Sequence, residues 1–274
     1  MREWLDLSEA DFHAKIKERM RATGSVGDVI PAMITYNVPG FILRELWPAA
    51  YTRWEDAPVF MAFAIAEDGW RGRIDNVKSA LTPVGDGYEL KFAKSYVLDC
   101  EQILILARGD FPDGEDFAIC RVPRDDDQTW ESRNEPGVRL ETSDGRVIDH
   151  NRVSGTVALA RDDVLPITRR RYSPLGIRIP RRELTSLSVI SIALLEHLDL
   201  KLSGADGDFL ADREARILMA REAGRLSGGE MRAAVEILDV FFRLTDELPE
   251  NSRVHPFWDN VRRMRDAFDR KDTK

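Results

Sequence analysis

The stretch DGYELKFAKSYVLDCEQILILARGD, residues 86–110, predicts two β-strands and the turn between them. In its first half, Tyr88, Leu90 and Phe92 alternate with polar residues, which is typical of a strand with one buried face. Its second half is almost purely aliphatic over the run QILILAR. The polar triplet Lys-Ser-Tyr at 94–96 closes the first strand. Its position raises the question whether this hairpin is plain scaffold or one wall of a binding site.

The strand pattern extends over residues 59–167. The run VFMAFAIA at 59–66 is almost continuously apolar, FAICRVP follows the hairpin at 117–123, and RVSGTVALARDDVLP closes the region at 152–166. The acidic segment DDDQTWESRNEPG at 125–137 is predicted to be a loop. Many short strands at regular spacing predict a small antiparallel β-barrel or sandwich.

Helical patterns flank this region on both sides. Ser8 stands at an expected helix N-cap, and Phe12, Ile16 and Met20 then recur on one helical face. Near the other end, RRELTSLSVISIALLEHLDLKL carries a wide apolar face, as a mostly buried helix does. The sequence therefore predicts an α+β protein in three parts. These are a short N-terminal helical region at 1–58, a middle β-barrel or sandwich domain at 59–167, and a C-terminal helical bundle at 168–274.

Composition and charge narrow the class of protein. Of the 274 residues, 43% are hydrophobic and 32% are charged, which is typical of soluble globular chains rather than disordered ones. The formal net charge of −8 repels nucleic acid and anionic membrane surfaces, so neither is an expected partner. The sequence has no run of about 18 apolar residues and no apolar leader, which predicts neither a membrane span nor an export signal.

The cysteines and histidines predict a cytoplasmic protein without a metal site. Cys100 and Cys120 are the two cysteines, and such sparse usage fits a reducing compartment. None of the cysteines or the four histidines stands in a paired ligand spacing such as CxxC or HxxxH.

Three segments, in this order, resemble the acyl-CoA dehydrogenase family. ELWPAAYTRWEDAPVFMAFAIAEDGWRGRID resembles the family's Leu-Pro helix, the strand ending Phe-Ala-Leu-Thr-Glu, and a Gly-Ser-Asp loop. GDGYELKFAKSYVLDCEQILILAR resembles its Gly-Asp-X-Tyr-X-Leu-Asn-Gly-X-Lys segment, which continues through an aromatic residue, Ile and a hydroxyl residue to a strand ending Ala-Arg. VALARDDVLP resembles the turn that leaves its β domain. The resemblance covers about residues 41–202.

The resemblance implies FAD as cofactor and an acyl-CoA or other acyl thioester as substrate. In that family a carboxylate removes the α proton of the thioester while hydride leaves the β carbon for the flavin. A homo-oligomer, a dimer or tetramer, is also expected, because a short bundle leaves apolar helix faces that need cover. The implied cofactor-binding residues are Phe63, Ile65, Ala66, Glu67, Tyr96, Val97 and Leu98.

Several positions depart from the family pattern. Ala66 and Leu98 stand where the family has hydroxyl residues near the flavin. The helical region before the strands and the C-terminal bundle are both shorter than in the family, and no segment matches the one that often carries the catalytic base. What remains of the Gly-Ser-Asp loop is Gly69, Gly72, Arg73 and Asp75.

Other polar residues have both a functional and a plain structural interpretation. Tyr96 is either a flavin wall or strand packing, and Lys94 is expected to be a solvated strand end. Glu196 and Glu230 are the bundle acids considered as a catalytic base, although exposed helix positions explain both. The arginines of RRRYSPLGIRIPRR at 169–182 suit phosphate binding, but a solvated loop or pairing with the acidic segment explains them more simply. The glycine pair in RLSGGEM is interpreted as a break between helices.

Two hypotheses remain open at the level of function. One is a flavin-dependent oxidoreductase similar to acyl-CoA dehydrogenases but reduced in size. The other is a non-catalytic relative that keeps the β domain and the bundle as a binding or assembly module without flavin. Ala66, Leu98 and the missing base favour the second hypothesis, whereas the preserved order of segments favours neither.

Overall fold

The structure is a computed structural model that describes residues 4, 7–69, 74–112, 114–133, 139–200, 202, 204–224, 228–248 and 254–272, with side chains as far as residue 268. Its elements begin with the helices α1 (Glu9–Thr23), α2 (Ile30–Asn37), α3 (Pro39–Leu46) and α4 (Pro48–Asp56). The strands are β1 (Met61–Ala64), β2 (Ala80–Val84), β3 (Gly87–Leu98), β4 (Gln102–Arg108), β5 (Phe117–Pro123), β6 (Thr129–Ser132), β7 (Leu140–Glu141), β8 (Val147–Ile148), β9 (His150–Leu159) and β10 (Val164–Ile167). The last helices are α5 (Arg169–His197), α6 (Gly204–Glu222), α7 (Gly228–Asp246) and α8 (Phe257–Asp272). The predicted α+β class and the order of helices, strands and helices are confirmed.

The chain divides into two compact units. The sheet unit comprises Met1–Leu5, Ile34–Arg139 and Ile148–Ile177. The helical unit comprises Asp6–Met33, Leu140–Val147 and Arg178–Lys274. The division into three domains at residues 58 and 167 stays a prediction.

The sheet unit is built on one eight-stranded sheet. Its strand order is β10-β5-β4-β2-β3-β9-β6, and β1 pairs with β4 outside this path. β1 and β2 run parallel to β4, whereas the other neighbours are antiparallel. The aliphatic run of β4 lies in the core, with the five residues 103–107 at 0% exposure. The predicted hairpin of residues 86–110 is wrong, because β2 lies between β3 and β4 in the sheet. β3 pairs with β2 and β9, and β4 pairs with β1, β2 and β5, so closeness in sequence did not decide the pairing.

The expected barrel is not closed in the part of the chain that the structure describes. Its strand path ends at β10 and at β6. Pro166 in β10 has no N–H to offer a further strand, and β6 has only four residues with mostly exposed side chains. Neither edge therefore favours continuation of the ladder. β6 also lies inside the acidic segment predicted to be a loop, which corrects that prediction.

The helical unit contains the predicted N-cap and the predicted buried helix. Ser8 Oγ accepts a hydrogen bond of 3.1 Å from the N–H of Asp11 at the start of α1. Gly24, at φ +63°, ends this helix in the left-handed conformation that glycine adopts without strain. All residues from Leu184 to Leu195 in α5 are buried. Among the described helices, none combines the length and apolarity that crossing a membrane requires.

Candidate functional site

The end of β1 and an irregular point in β3 meet at one corner of the sheet unit. β3 pairs regularly with β9 as far as Lys94 and again from Val97, so Ser95 and Tyr96 fall in a β-bulge. The N–H of Ser95 donates a hydrogen bond of 2.9 Å to the C=O of Ala66, just beyond β1. The two groups of residues carried over from the family therefore lie side by side. We call this the β1–β3 corner and define it as residues 63–67 and 94–98.

Tyr96 has an uncommon backbone conformation within this corner. Its φ is +60°, in the left-handed region that bulky residues seldom adopt. Its side chain is 50% exposed, and the guanidinium carbon of Arg133 lies 3.9 Å from the ring centroid. A strain of about 1–2 kcal/mol is thus retained for a side chain that faces solvent, and strained conformations of this kind cluster at functional sites.

Substitution of Tyr96 is expected to separate backbone strain from side-chain contact. Tyr96→Gly should leave the free energy of unfolding within about 1 kcal/mol of the wild type, because relief of strain offsets the lost contact with Arg133. Tyr96→Val keeps the strained φ in a β-branched residue and should cost about 2 kcal/mol. Urea denaturation measures both values. Equal losses in the two variants would contradict the assignment of strain to this position.

A buried ion pair lies beneath the corner. Lys94 is 0% exposed, and its Nζ donates hydrogen bonds of 2.7 Å to Glu67 Oε1 and 2.7 Å to the C=O of Leu106. Glu67 is 6% exposed and also accepts hydrogen bonds from the N–H of Lys78 and from the N–H and Oγ of Ser79. The carboxylate therefore faces the interior, where four donors hold it.

The prediction that Lys94 is a solvated strand end is wrong. Alternation along β3 places it on the same face as the buried Leu90 and Phe92, so its ammonium group needs an internal partner. Burial lowers the pKa of Lys94. Burial acts to raise the pKa of Glu67, but hydrogen bonds from Lys94 and Ser79 outweigh it and hold that pKa below its usual value.

An open cleft borders the corner on its solvent side. It has a volume of about 310 Å³, and its lining includes Glu67, Asp68, Lys91, Ser95 and Arg152. Asp68 Oδ1 accepts hydrogen bonds of 3.1 Å from Ser95 Oγ and 3.3 Å from the Arg152 guanidinium. The cleft therefore gives a ligand polar and charged groups next to the bulge.

Solved structures with the same architecture identify the fold. A glutaryl-CoA dehydrogenase from Mycobacterium smegmatis in complex with FADH2 aligns with a TM-score of 0.63 at 10% identity, over 94% of this chain and 75% of that chain. A butyryl-CoA dehydrogenase from Megasphaera elsdenii aligns with a TM-score of 0.64 at 11% identity, over 95% and 76%. An acyl-CoA dehydrogenase from Geobacillus kaustophilus aligns with a TM-score of 0.63 at 12% identity, over 96% and 78%. The chain has the acyl-CoA dehydrogenase fold. No family model and no curated protein matches the sequence.

The remaining corner residues occupy two kinds of position in this acyl-CoA dehydrogenase fold. Phe63, Ile65 and Ala66 are half-buried at and just beyond the end of β1. Val97 and Leu98 are 1% and 3% exposed, and neither carries a side-chain polar group. The assignment of these residues as cofactor contacts stays a prediction.

The acids considered as a catalytic base differ in their surroundings. Glu196 is exposed and forms an ion pair with Arg21, as the plain structural interpretation expects. Glu230 is half-buried in the first turn of α7. Glu183 was not considered from the sequence, yet burial raises its pKa to about 7. Its place directly before the buried run of α5 is the signal that could have found it.

The arginine segment at 169–182 is the beginning of α5 rather than a loop. Arg169 pairs with Asp75 at 2.9 Å. Arg182 pairs with Glu9 at 2.6 Å. These two arginines therefore have acidic partners other than the acidic segment at 125–137.

Two glycine-containing predictions fall partly outside the described residues. Of the predicted Gly-Ser-Asp counterpart, Gly72 and Arg73 lie outside them, whereas Gly69 has a φ of +80°. Of RLSGGEM, the first three residues lie outside them, and Gly228 begins α7. Within the described ranges, no group of three or more His, Cys, Asp or Glu side chains is arranged to hold a metal ion.

Proposed function

We propose that the protein is a flavin-dependent oxidoreductase that acts on the CH–CH group of an acyl thioester such as an acyl-CoA, with FAD as cofactor. The observation that carries the proposal is the β1–β3 corner, where Ser95 bonds the backbone just beyond β1 and the next residue, Tyr96, has a half-exposed ring. The fold adds support, since one solved neighbour is a glutaryl-CoA dehydrogenase in complex with FADH2.

The corner fits the ring system of a flavin. An isoalloxazine ring is flat with polar atoms along its edge, so it suits an aromatic face next to backbone N–H and C=O groups. Tyr96 and Phe63 supply aromatic side chains, and Ile65 and Ala66 supply backbone just beyond β1, although their C=O groups already accept from Lys94 and Ser95. Because Ala66 and Leu98 lack hydroxyl groups, binding in this chain depends on stacking and backbone contacts.

The chain's own contribution would be to orient the cofactor and to exclude water. Bound FAD would supply the acceptor for the hydride that leaves the β carbon of the thioester. The apolar side chains of Val97 and Leu98 keep water from the inner side of the corner. Backbone dipoles that face a dry site stabilise developing charge more strongly than they do in water.

A visible absorption spectrum tests the proposal. The purified protein, incubated with FAD and then freed of excess, should keep a flavin spectrum. Tyr96→Gly should weaken FAD binding by about tenfold, because the aromatic face is lost. Tyr96→Phe is the matched control, and it should bind like the wild type because it keeps the ring. A colourless wild-type protein that takes up no FAD would rule the proposal out.

The second candidate function is a non-catalytic relative that serves as a binding or assembly module. Three observations favour it, namely the methyl group at Ala66, the inward apolar side chain of Leu98 and the ion pair that occupies Glu196. A colourless protein in the same experiment supports this candidate.

The proposed setting is a homo-oligomer, a dimer or tetramer, in the cytoplasm. Met219 on α6 is 73% exposed and Ile177 on α5 is 58% exposed, so apolar side chains are available for contact with a second copy. Cys100 and Cys120 are both free and buried, which suits a reducing compartment.

A further inference from the structure

We propose that Glu67 and Lys94 are positioning residues, which hold the end of β1 and the Tyr96 bulge in the shape that binds the flavin. This inference rests on the proposed function, and it changes the predicted role of Glu67 from a cofactor contact to a support of the contacts. Nothing in it requires either side chain to touch the cofactor.

Four hydrogen bonds hold the Glu67 carboxylate in place, although this residue also lines the open cleft. Oε2 accepts a hydrogen bond of 2.6 Å from the N–H of Lys78. Oε1 accepts three hydrogen bonds, of 2.9 Å from the N–H of Ser79, 2.7 Å from Ser79 Oγ and 2.7 Å from Lys94 Nζ. Because residues 78 and 79 directly precede β2, this one side chain fixes the end of β1 to the start of β2.

Lys94 fixes the β3 segment of the corner. It is the last residue of β3 that pairs with β9 before the bulge. Its Nζ donates a hydrogen bond of 2.7 Å to the C=O of Leu106 in β4 and one of 3.5 Å to the C=O of Ile65. Anchoring Lys94 in this way sets where the bulge begins, and hence lets the N–H of Ser95 reach the C=O of Ala66.

Stability alone does not explain a buried ion pair at this place. Taking both charges out of water is costly, and a well-packed apolar pair of similar volume usually stabilises a core as well or better. An apolar pair has no directional bonds, however, so it cannot fix the positions of β1, β2 and β4 relative to the bulge. The geometry thus points to positioning of the corner as the reason for the pair.

The experiment compares three variants of the full chain. Glu67→Gln removes the charge but keeps the size, and the double variant Glu67→Leu with Lys94→Met replaces the pair by apolar side chains. The matched control is Asp163→Asn, which breaks the ion pair of 2.6 Å with Arg121 in the same unit. FAD affinity is measured by fluorescence titration, and the protection of the Ser95 amide by hydrogen exchange, with urea denaturation as the readout of stability.

The double variant is expected to remain folded, since it leaves no buried charge alone, although the N–H groups of Lys78 and Ser79 and the C=O of Leu106 lose their partners and lower its stability. It should nevertheless bind FAD about tenfold more weakly and exchange the Ser95 amide about tenfold faster than the wild type. Glu67→Gln should move both readouts in the same direction, and Asp163→Asn should move neither.

Wild-type FAD affinity together with unchanged Ser95 protection in the double variant would overturn the positioning role. If the wild type binds no FAD, the proposed function fails. The exchange of the Ser95 amide then still decides whether the ion pair holds the corner in shape.

Discussion

Arg221→Met is expected to lower the free energy of unfolding of the helical unit by about 3–5 kcal/mol. Arg221 is 2% exposed, and its guanidinium bonds Glu9 at 2.8 Å and 2.9 Å. It also donates a hydrogen bond of 2.9 Å to the C=O of Arg182 and one of 2.8 Å to Thr185 Oγ. Methionine fills similar volume but takes the Arg221 donor away from Glu9, the C=O of Arg182 and Thr185 Oγ, and leaves Glu9 with Arg182 as its remaining arginine partner. Removing one partner of a buried charge is far more costly than replacing both.

Arg243→Met is the matched control for this prediction. Arg243 pairs with Asp206 at 3.0 Å, but its side chain is 52% exposed, so the change should cost less than about 1 kcal/mol. Urea denaturation followed by far-UV circular dichroism gives both values. Similar losses of the free energy of unfolding in the two variants would show that the buried cluster of Glu9, Arg182 and Arg221 stabilises the protein no more than an exposed ion pair does.

The stability of the helical unit is expected to fall as the pH drops from about 6.5 to about 3. His13 is 0% exposed; its Nδ1 donates to the C=O of Glu9 at 2.6 Å, and its Nε2 accepts from Ser186 Oγ at 2.8 Å. Burial and the charges of Arg221 and Arg182 lower the pKa of His13 to about 3.

The sign follows from the protons that each state binds. Between pH 6.5 and 3 the unfolded chain protonates His13 and the folded chain does not, so acidification favours unfolding by up to about 1.4 kcal/mol per pH unit. Glu9 acts in the same direction at lower pH. Burial works against ionisation of Glu9, but Arg221 and Arg182 lower its pKa to about 2, so the stabilisation that it gives above pH 4.5 is lost as the pH falls toward 2.

Glu183 should act in the opposite direction. Because burial raises its pKa from 4.5 to about 7, the folded state binds the extra proton between these values, and stability falls as the pH rises through them. Unfolding curves in urea from pH 4 to 8 test both titrations. His13→Gln should flatten the loss on the acid side, and Glu183→Gln should gain stability relative to the wild type at the alkaline end. Parallel curves for all three proteins would contradict both assignments.

Parts of the fold were predictable because they follow from local patterns. Alternation marked β3, the aliphatic run marked β4, and Ser8 marked the start of α1. β6 was missed, because its side chains are mostly exposed and leave no alternation to find. The open edges of the sheet were missed as well, since strand spacing does not specify which strands pair at the ends.

The sequence by itself determined the order of the helical, strand and helical regions, the buried faces of β3 and α5, and the two segments that form the β1–β3 corner. Only the tertiary structure decided which charges lie inside. Lys94 meets Glu67 across 27 residues of sequence, and Arg221 meets Glu9 across 212. A local pattern reports whether a position faces the core, but the partner that makes a buried charge tolerable is supplied by distant segments. That choice depends on packing, which no window of sequence contains.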